Sequence, residues 1–151
     1  MSNEHSTFEV ALKLIDNYRF EVDFGAMGQI ETDEPEPLGE GSGPNPTRLL
    51  ATSVANCLAA SLCFAIRKFK GDPGAVTAKV SGELARVEGR WRVAKLAVAI
   101  ELGQSASDIP HLDRILEQFE AFCVVTESVR AGIPVDVSVS DNNHQVLHQS
   151  N

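Results

Sequence analysis

From Leu49 to Ile66 the chain runs through 18 residues without a charge. No other feature constrains the fold as strongly, because a segment this apolar must be covered by protein or by lipid. Eighteen residues is the lower edge of a transmembrane length. Thr52, Ser53, Asn56 and Ser61, together with several alanines, dilute the apolarity, so the segment reads as a helix buried in protein. Asn45-Pro46 starts it in the expected way, since Asn caps well and Pro at the first helical position loses no needed donor. Leu50, Val54, Cys57, Leu58, Leu62, Ala65 and Phe69 recur close to the helical period, and Gly71-Asp72-Pro73-Gly74 ends a helix of about 23 residues. A small chain with few helices offers such a helix limited cover, which points to a dimer.

The flanking segments alternate. Phe8, Val10, Leu12 and Leu14 share one face of a strand expected over 7–14, and Phe20, Val22 and Phe24 share one over 18–24. A short strand is expected near Gln29–Thr32. The stretch from Asp33 to Pro44 holds three prolines and three glycines and reads as a functional-length loop. After the long helix, Val76, Ala78 and Val80 open a hairpin that turns at Glu88-Gly89 and returns over 91–102. Ser107-Asp108 is read as the cap of a second helix, broken or kinked near Cys123 and closed by Gly132. Val135, Val137 and Val139 mark a last strand over 134–140, and 141–151 reads as a polar tail. This order lacks the βα alternation of a doubly wound sheet, so the expected class is α+β with antiparallel sheets, in one domain spanning the chain.

Composition narrows the function. Thirteen Lys+Arg against 21 Asp+Glu give a net charge of −8, with no basic cluster for nucleic acid. The opening Met1-Ser2-Asn3-Glu4-His5 has neither the basic nor the apolar region of a signal peptide. Three cysteines are too few for a secreted disulfide scaffold. A cytoplasmic protein without membrane or nucleic-acid partners is expected.

Cys57, Cys63 and Cys123 are the first candidates for chemistry. Cys57 and Cys63 stand about 600° and ~9 Å apart on one helix, so they cannot bridge each other. Cys123 lies on the other helical segment and could face either, and each could also be an inert buried thiol. The Gly41-Ser42-Gly43-Pro44 loop lacks the lysine of a phosphate cradle and reads as structural. His144 and His148 share a helical metal-ligand spacing but sit in the polar tail with no third ligand, and His111 reads as exposed. No metal site is expected.

The run Thr32 to Leu50, continuing into Ala55-Asn56-Cys57-Leu58, resembles the OsmC/Ohr family, the osmotically inducible and organic-hydroperoxide-resistance proteins. The match is carried by the Gly-rich loop, by Asn45-Pro46 opening a helix and by a cysteine eleven residues after that proline. Ala121-Phe122-Cys123-Val124-Val125-Thr126 resembles the second signature, with Val124 where the family commonly has Pro. The resemblance implies an OsmC-like fold of two intertwined chains with the central helices buried in the homodimer. It also implies a thiol peroxidase in which Cys57 is peroxidatic and Cys123 resolving. No cofactor is implied, only an external dithiol reductant such as a dihydrolipoyl group, and Cys63 matches neither motif.

The chemistry makes a demand that these residues meet in part. A free cysteine, with pKa about 8.5, is mostly protonated at neutral pH and needs an activating group. The organic-hydroperoxide branch supplies an Arg from the glycine-containing segment, steadied by a Glu after Asn-Pro. Here that segment is Gly25-Ala26-Met27-Gly28, and Thr47 follows Pro46, leaving Arg19 and Arg48 as the nearest arginines in sequence. Two readings follow: a hydroperoxide reductase using Cys57 and Cys123, or an OsmC-like dimer that binds a small molecule or thiol without efficient turnover. An arginine reaching Cys57 favours the first, and apolar packing that raises its pKa favours the second.

Overall fold

A computed structural model describes residues 4–132, 137–140 and 146–150. The fold is α+β with antiparallel sheets, as the element order predicts. The chain divides into two compact units: one comprises the chain up to Thr52 plus Ser81–Ala97, the other Ser53–Val80 plus the chain from Val98. The long helix α1 (Pro46–Lys68) and the hairpin strands β4 (Thr77–Val87) and β5 (Arg90–Glu101) each contribute to both.

In the first unit, β1 (Ala11–Asp16), β2 (Arg19–Asp23) and β3 (Gln29–Thr32) form an antiparallel meander. Its register places Leu12 opposite Val22 and Val22 opposite Ile30, so the predicted alternation is realised. The first strand begins at Ala11 rather than Thr7, because pairing extends only as far as Asp23 opposite Ala11. Asn17 makes the turn at φ 47°, a left-handed conformation that asparagine tolerates well. The Pro- and Gly-rich loop after β3 is organised by one buried side chain. The Asp33 carboxylate accepts backbone N–H bonds from Glu34 at 2.8 Å, Glu40 at 3.2 Å and Ser42 at 3.1 Å, and the Ser42 hydroxyl at 2.8 Å. Gly39 is required there, since a Cβ would collide with the Glu34 carbonyl and the Asp33 carboxylate. The hairpin closes through Glu88 and Gly89 at φ 51° and 80°, a two-residue turn whose twist suits paired strands.

Helix α1 starts as its sequence dictates: Asn45 Oδ1 accepts the Arg48 N–H at 3.1 Å, capping one of the free donors of the first turn. Val54, Leu58, Leu62 and Ile66, four residues apart, form its buried row. By length and composition α1 could cross a membrane, with mean hydropathy 1.9, yet only 28% of its apolar window is buried within one chain. Phe64, on another face, remains 67% exposed.

The core of the second unit is Leu62, Ile66, Ile109 and Ile115, flanked by Phe69, Ile100, Leu102 and Phe119. The expected second helix is split. A 3-10 turn at Ala106–Asp108 precedes α2 (Leu112–Gln118), a further 3-10 turn covers Phe119–Phe122, and α3 (Val124–Ala131) ends at Gly132 with φ 80°. Helix α2 begins later than the Ser107-Asp108 cap suggests because His111 adopts a left-handed φ of 55°, which resets the chain direction. Beyond α3 the strands β6 (Val137–Ser140) and β7 (Val146–Ser150) pair antiparallel, with Val139 opposite His148. The expected polar tail is therefore a strand over its last part. Its polarity hid a ladder that is held by backbone hydrogen bonds. The first residues of the strand expected over 134–140 lie outside the described residues, as does His144.

Candidate active site

Two elements of the second unit bring their sulfurs together. Cys57 sits on α1 between the buried Val54 and Leu58 and is half-buried. Ser61, one turn on, lies on the same side of the helix. Cys123 is fully buried at the N-cap of α3, where φ −80° and ψ 100° carry the chain out of the preceding 3-10 turn. Its N–H donates to the Glu120 carbonyl and its own carbonyl accepts the Glu127 N–H, both at 3.0 Å, which fixes the residue at the junction. Val124 occupies the first helical position, a place proline also favours, so this departure from the family pattern leaves the local backbone class unchanged.

The Cys57 and Cys123 side chains lie close enough for each thiol to influence the other's proton affinity. Cys123 Sγ is also 3.0 Å from Thr126 Oγ1, a contact between two buried side chains. Burial pushes the Cys57 thiol up, and the influence of Cys123 adds to that, against smaller help from the Val125 amide and the Ser61 hydroxyl. Burial acts on Cys123 in the same sense, but the influence of Cys57, of the Thr126 hydroxyl and amide and of Ser61 outweighs it and holds this thiol below its ordinary value. All three cysteines are free thiols, Cys63 being half-buried elsewhere on α1.

No arginine is among the leading influences on Cys57. Arg48 donates to Asn45 Oδ1 at 3.3 Å in the first turn of α1, and Arg19 lines a small polar cavity with Asp16, Asn17, Asp33 and Glu40. Among the described residues no group of three or more His, Cys, Asp or Glu is placed to hold a metal ion. His148 lies exposed in β7, and His111 stacks on Phe69 at 5.2 Å. Sequence reasoning brought Cys57 and Cys123 forward but gave Ser61 and Thr126 no role. Their signal was spacing alone: Ser61 four residues after Cys57, and Thr126 three after Cys123, where a cap meets its helix.

A family model described as OsmC-like protein matches residues 39–138. Among solved structures, a protein of Psychrobacter arcticus 273-4, named for osmotic-stress induction and a detoxification response, is 24% identical. It superposes with a TM-score of 0.70 over 84% of this chain and 91% of its own. An organic hydroperoxide resistance protein of Legionella pneumophila, also described as a predicted redox protein, is 18% identical, with a TM-score of 0.60 over 83% and 92%. A Vibrio cholerae structure named for organic hydroperoxide resistance, with captopril bound in one of its active sites, is 17% identical, with a TM-score of 0.65 over 97% and 99%. No curated protein matches the chain.

Proposed function

The chain belongs to the OsmC-like family, and from that premise we propose that it is a cysteine-based, metal-free reductase of organic hydroperoxides in oxidative-stress defence. The observation that carries this reading is the proximity of two free thiols, Cys57 and Cys123, in one unit of the chain. The names of the Legionella and Vibrio structures, both for organic hydroperoxide resistance, support it. In the first step Cys57 Sγ attacks the peroxide. An S–O bond forms, the O–O bond breaks, and the alcohol leaves with the proton that the thiol gives up. Cys123 Sγ then attacks the sulfenic sulfur, forming the S–S bond and releasing water, so the two thiols supply the two electrons. An external dithiol, of which a dihydrolipoyl group is one, returns the pair to thiols by exchange. The working unit is a homodimer in the cytoplasm that covers the exposed part of α1, whose apolar window is 28% buried in one chain.

The test is stopped-flow consumption of cumene hydroperoxide by the reduced protein, with Cys57→Ser alongside. Loss of one peroxide equivalent, abolished by the substitution and leaving a Cys57–Cys123 disulfide, is the expected result. The upward push that burial gives the Cys57 thiol, with no arginine among its leading influences, favours a second reading: a dimer that binds a small molecule or thiol without efficient turnover. Consumption no faster than that of a free thiol would establish it instead.

A further inference from the structure

A thiol that closes a disulfide must present its sulfur along one line of approach, and free rotation of the side chain works against that. Cys123 is fully buried, and its N–H, carbonyl and thiol are each engaged. The N–H donates to the Glu120 carbonyl and the carbonyl accepts the Glu127 N–H, both at 3.0 Å, so the backbone is held from either side. The thiol donates to Thr126 Oγ1 at 3.0 Å, and Thr126 is itself buried. This contact is not a helix cap, because the Cys123 side chain makes no capping bond to the free N–H groups of α3. It fixes the direction of the S–H bond and, with it, one of the three staggered positions open to the sulfur.

We propose that Thr126 is a positioning residue for disulfide closure: by accepting the Cys123 S–H bond, it selects the rotamer from which Cys123 Sγ attacks an oxidised Cys57. This inference rests on the reading of Cys57 and Cys123 as a redox pair and adds to it the group that orients the second sulfur. With its S–H bond directed at Thr126, Sγ keeps its lone pairs free for the electrophile. After the first step Cys57 carries a sulfenic S–OH. A lone pair of Cys123 Sγ forms the S–S bond as the S–O bond breaks. The leaving hydroxide takes the proton that Cys123 gives up and departs as water, so Cys123 is oxidised and the sulfenic sulfur reduced. Thr126 gains and loses no proton in this step.

Position 126 suits the task. Among Val124, Val125 and Thr126, which open α3, Thr126 alone carries a side-chain acceptor. A residue three after the cap lies over it on the helix surface, and β-branching stiffens the side chain at χ1, so the acceptor is itself well fixed. The other polar side chains of this helix are engaged elsewhere. The Ser128 hydroxyl donates to the Val124 carbonyl at 2.7 Å, and Arg130 binds Glu120 at 2.6 Å and Glu127 at 2.9 Å in exposed ion pairs.

The experiment oxidises Cys57 in the reduced full chain by two routes: cumene hydroperoxide, and dipyridyl disulfide, which forms a mixed disulfide and involves no peroxide. Rapid acid quench and peptide mapping follow the first adduct at Cys57 and then the Cys57–Cys123 bridge. Thr126→Val is expected to slow closure of the bridge roughly tenfold by both routes, the scale of one hydrogen bond. The effect falls on closure rather than on the first adduct. Thr126→Ser, which keeps the hydroxyl and loses the methyl, is expected to return closure toward the wild-type rate. A residue that only packs would give neither the split between steps nor the rescue by serine. Equal closure rates in wild type and Thr126→Val, with peroxide still consumed, overturn the proposal and leave the peroxidase reading standing. Peroxide consumption no faster than that of a free thiol, with closure after dipyridyl disulfide still dependent on Thr126, sinks the peroxidase reading and keeps the positioning role. Absence of the bridge by either route overturns both.

Discussion

Cys123 and Thr126, three residues apart, form a buried pair in which the thiol at the cap of α3 and the hydroxyl of its first turns meet at 3.0 Å. Nothing in this contact carries a fixed charge. Thr126→Val keeps the shape and removes the hydroxyl that accepts from Cys123 Sγ. The expected cost is about 1 kcal/mol of stability, the usual net worth of such a bond, read by urea denaturation of the reduced protein.

Oxidation discriminates among the three thiols. Diamide treatment is expected to give one intramolecular disulfide, Cys57–Cys123, with Cys63 left alkylatable in a tryptic map. A bridge from Cys63 to either partner would contradict the proposed pairing.

Asp33 ties the loop before α1 through four hydrogen bonds, and its carboxyl is held below its ordinary 3.8, chiefly by the Ser42 amide and hydroxyl. A carboxylate whose folded pKa is depressed adds stability that is present above the unfolded value and lost as pH falls through the folded one. Asp33→Asn is therefore expected to melt below wild type at pH 7. The gap should narrow as pH drops below 3.8, which paired thermal melts would show.

Ile66 is fully buried and packs with Leu62, Ile109 and Ile115. Ile66→Ala is expected to cost about 2–5 kcal/mol through lost transfer energy and the cavity left behind. Equilibrium denaturation measures it, and a loss under 1 kcal/mol would mean that this cluster is not the core of its unit.

Phe64 projects from the same helix but is 67% exposed in the single chain. If a second copy covers that face, Phe64→Asp weakens association, and sedimentation velocity should show a shift from dimer to monomer. Wild-type protein that sediments as a monomer would count against the dimer.

Local elements were legible because their signals are local. Asn45 caps α1 through its own side chain, β3 occupies Gln29–Thr32 where the alternation put it, and Gly132 closes α3 with the positive φ that glycine permits. The family was legible for the same reason: its motifs are contiguous around Cys57 and around Cys123. Harder to read were features whose cause lies elsewhere in the chain. The strand Val146–Ser150 looked like a solvated tail because its partner, Val137–Ser140, supplies the order through backbone bonds that side-chain patterning does not reveal.

By itself, then, the sequence determined the α+β class and the uncharged helix and brought Cys57 and Cys123 forward as candidates, since periodicity, capping and short motifs are properties of neighbouring residues. The tertiary structure alone decided that Cys57 meets Cys123 and that Ser61 and Thr126 surround them. A pKa is set by the burial and donors that converge on a group, and convergence exists only once the chain has folded.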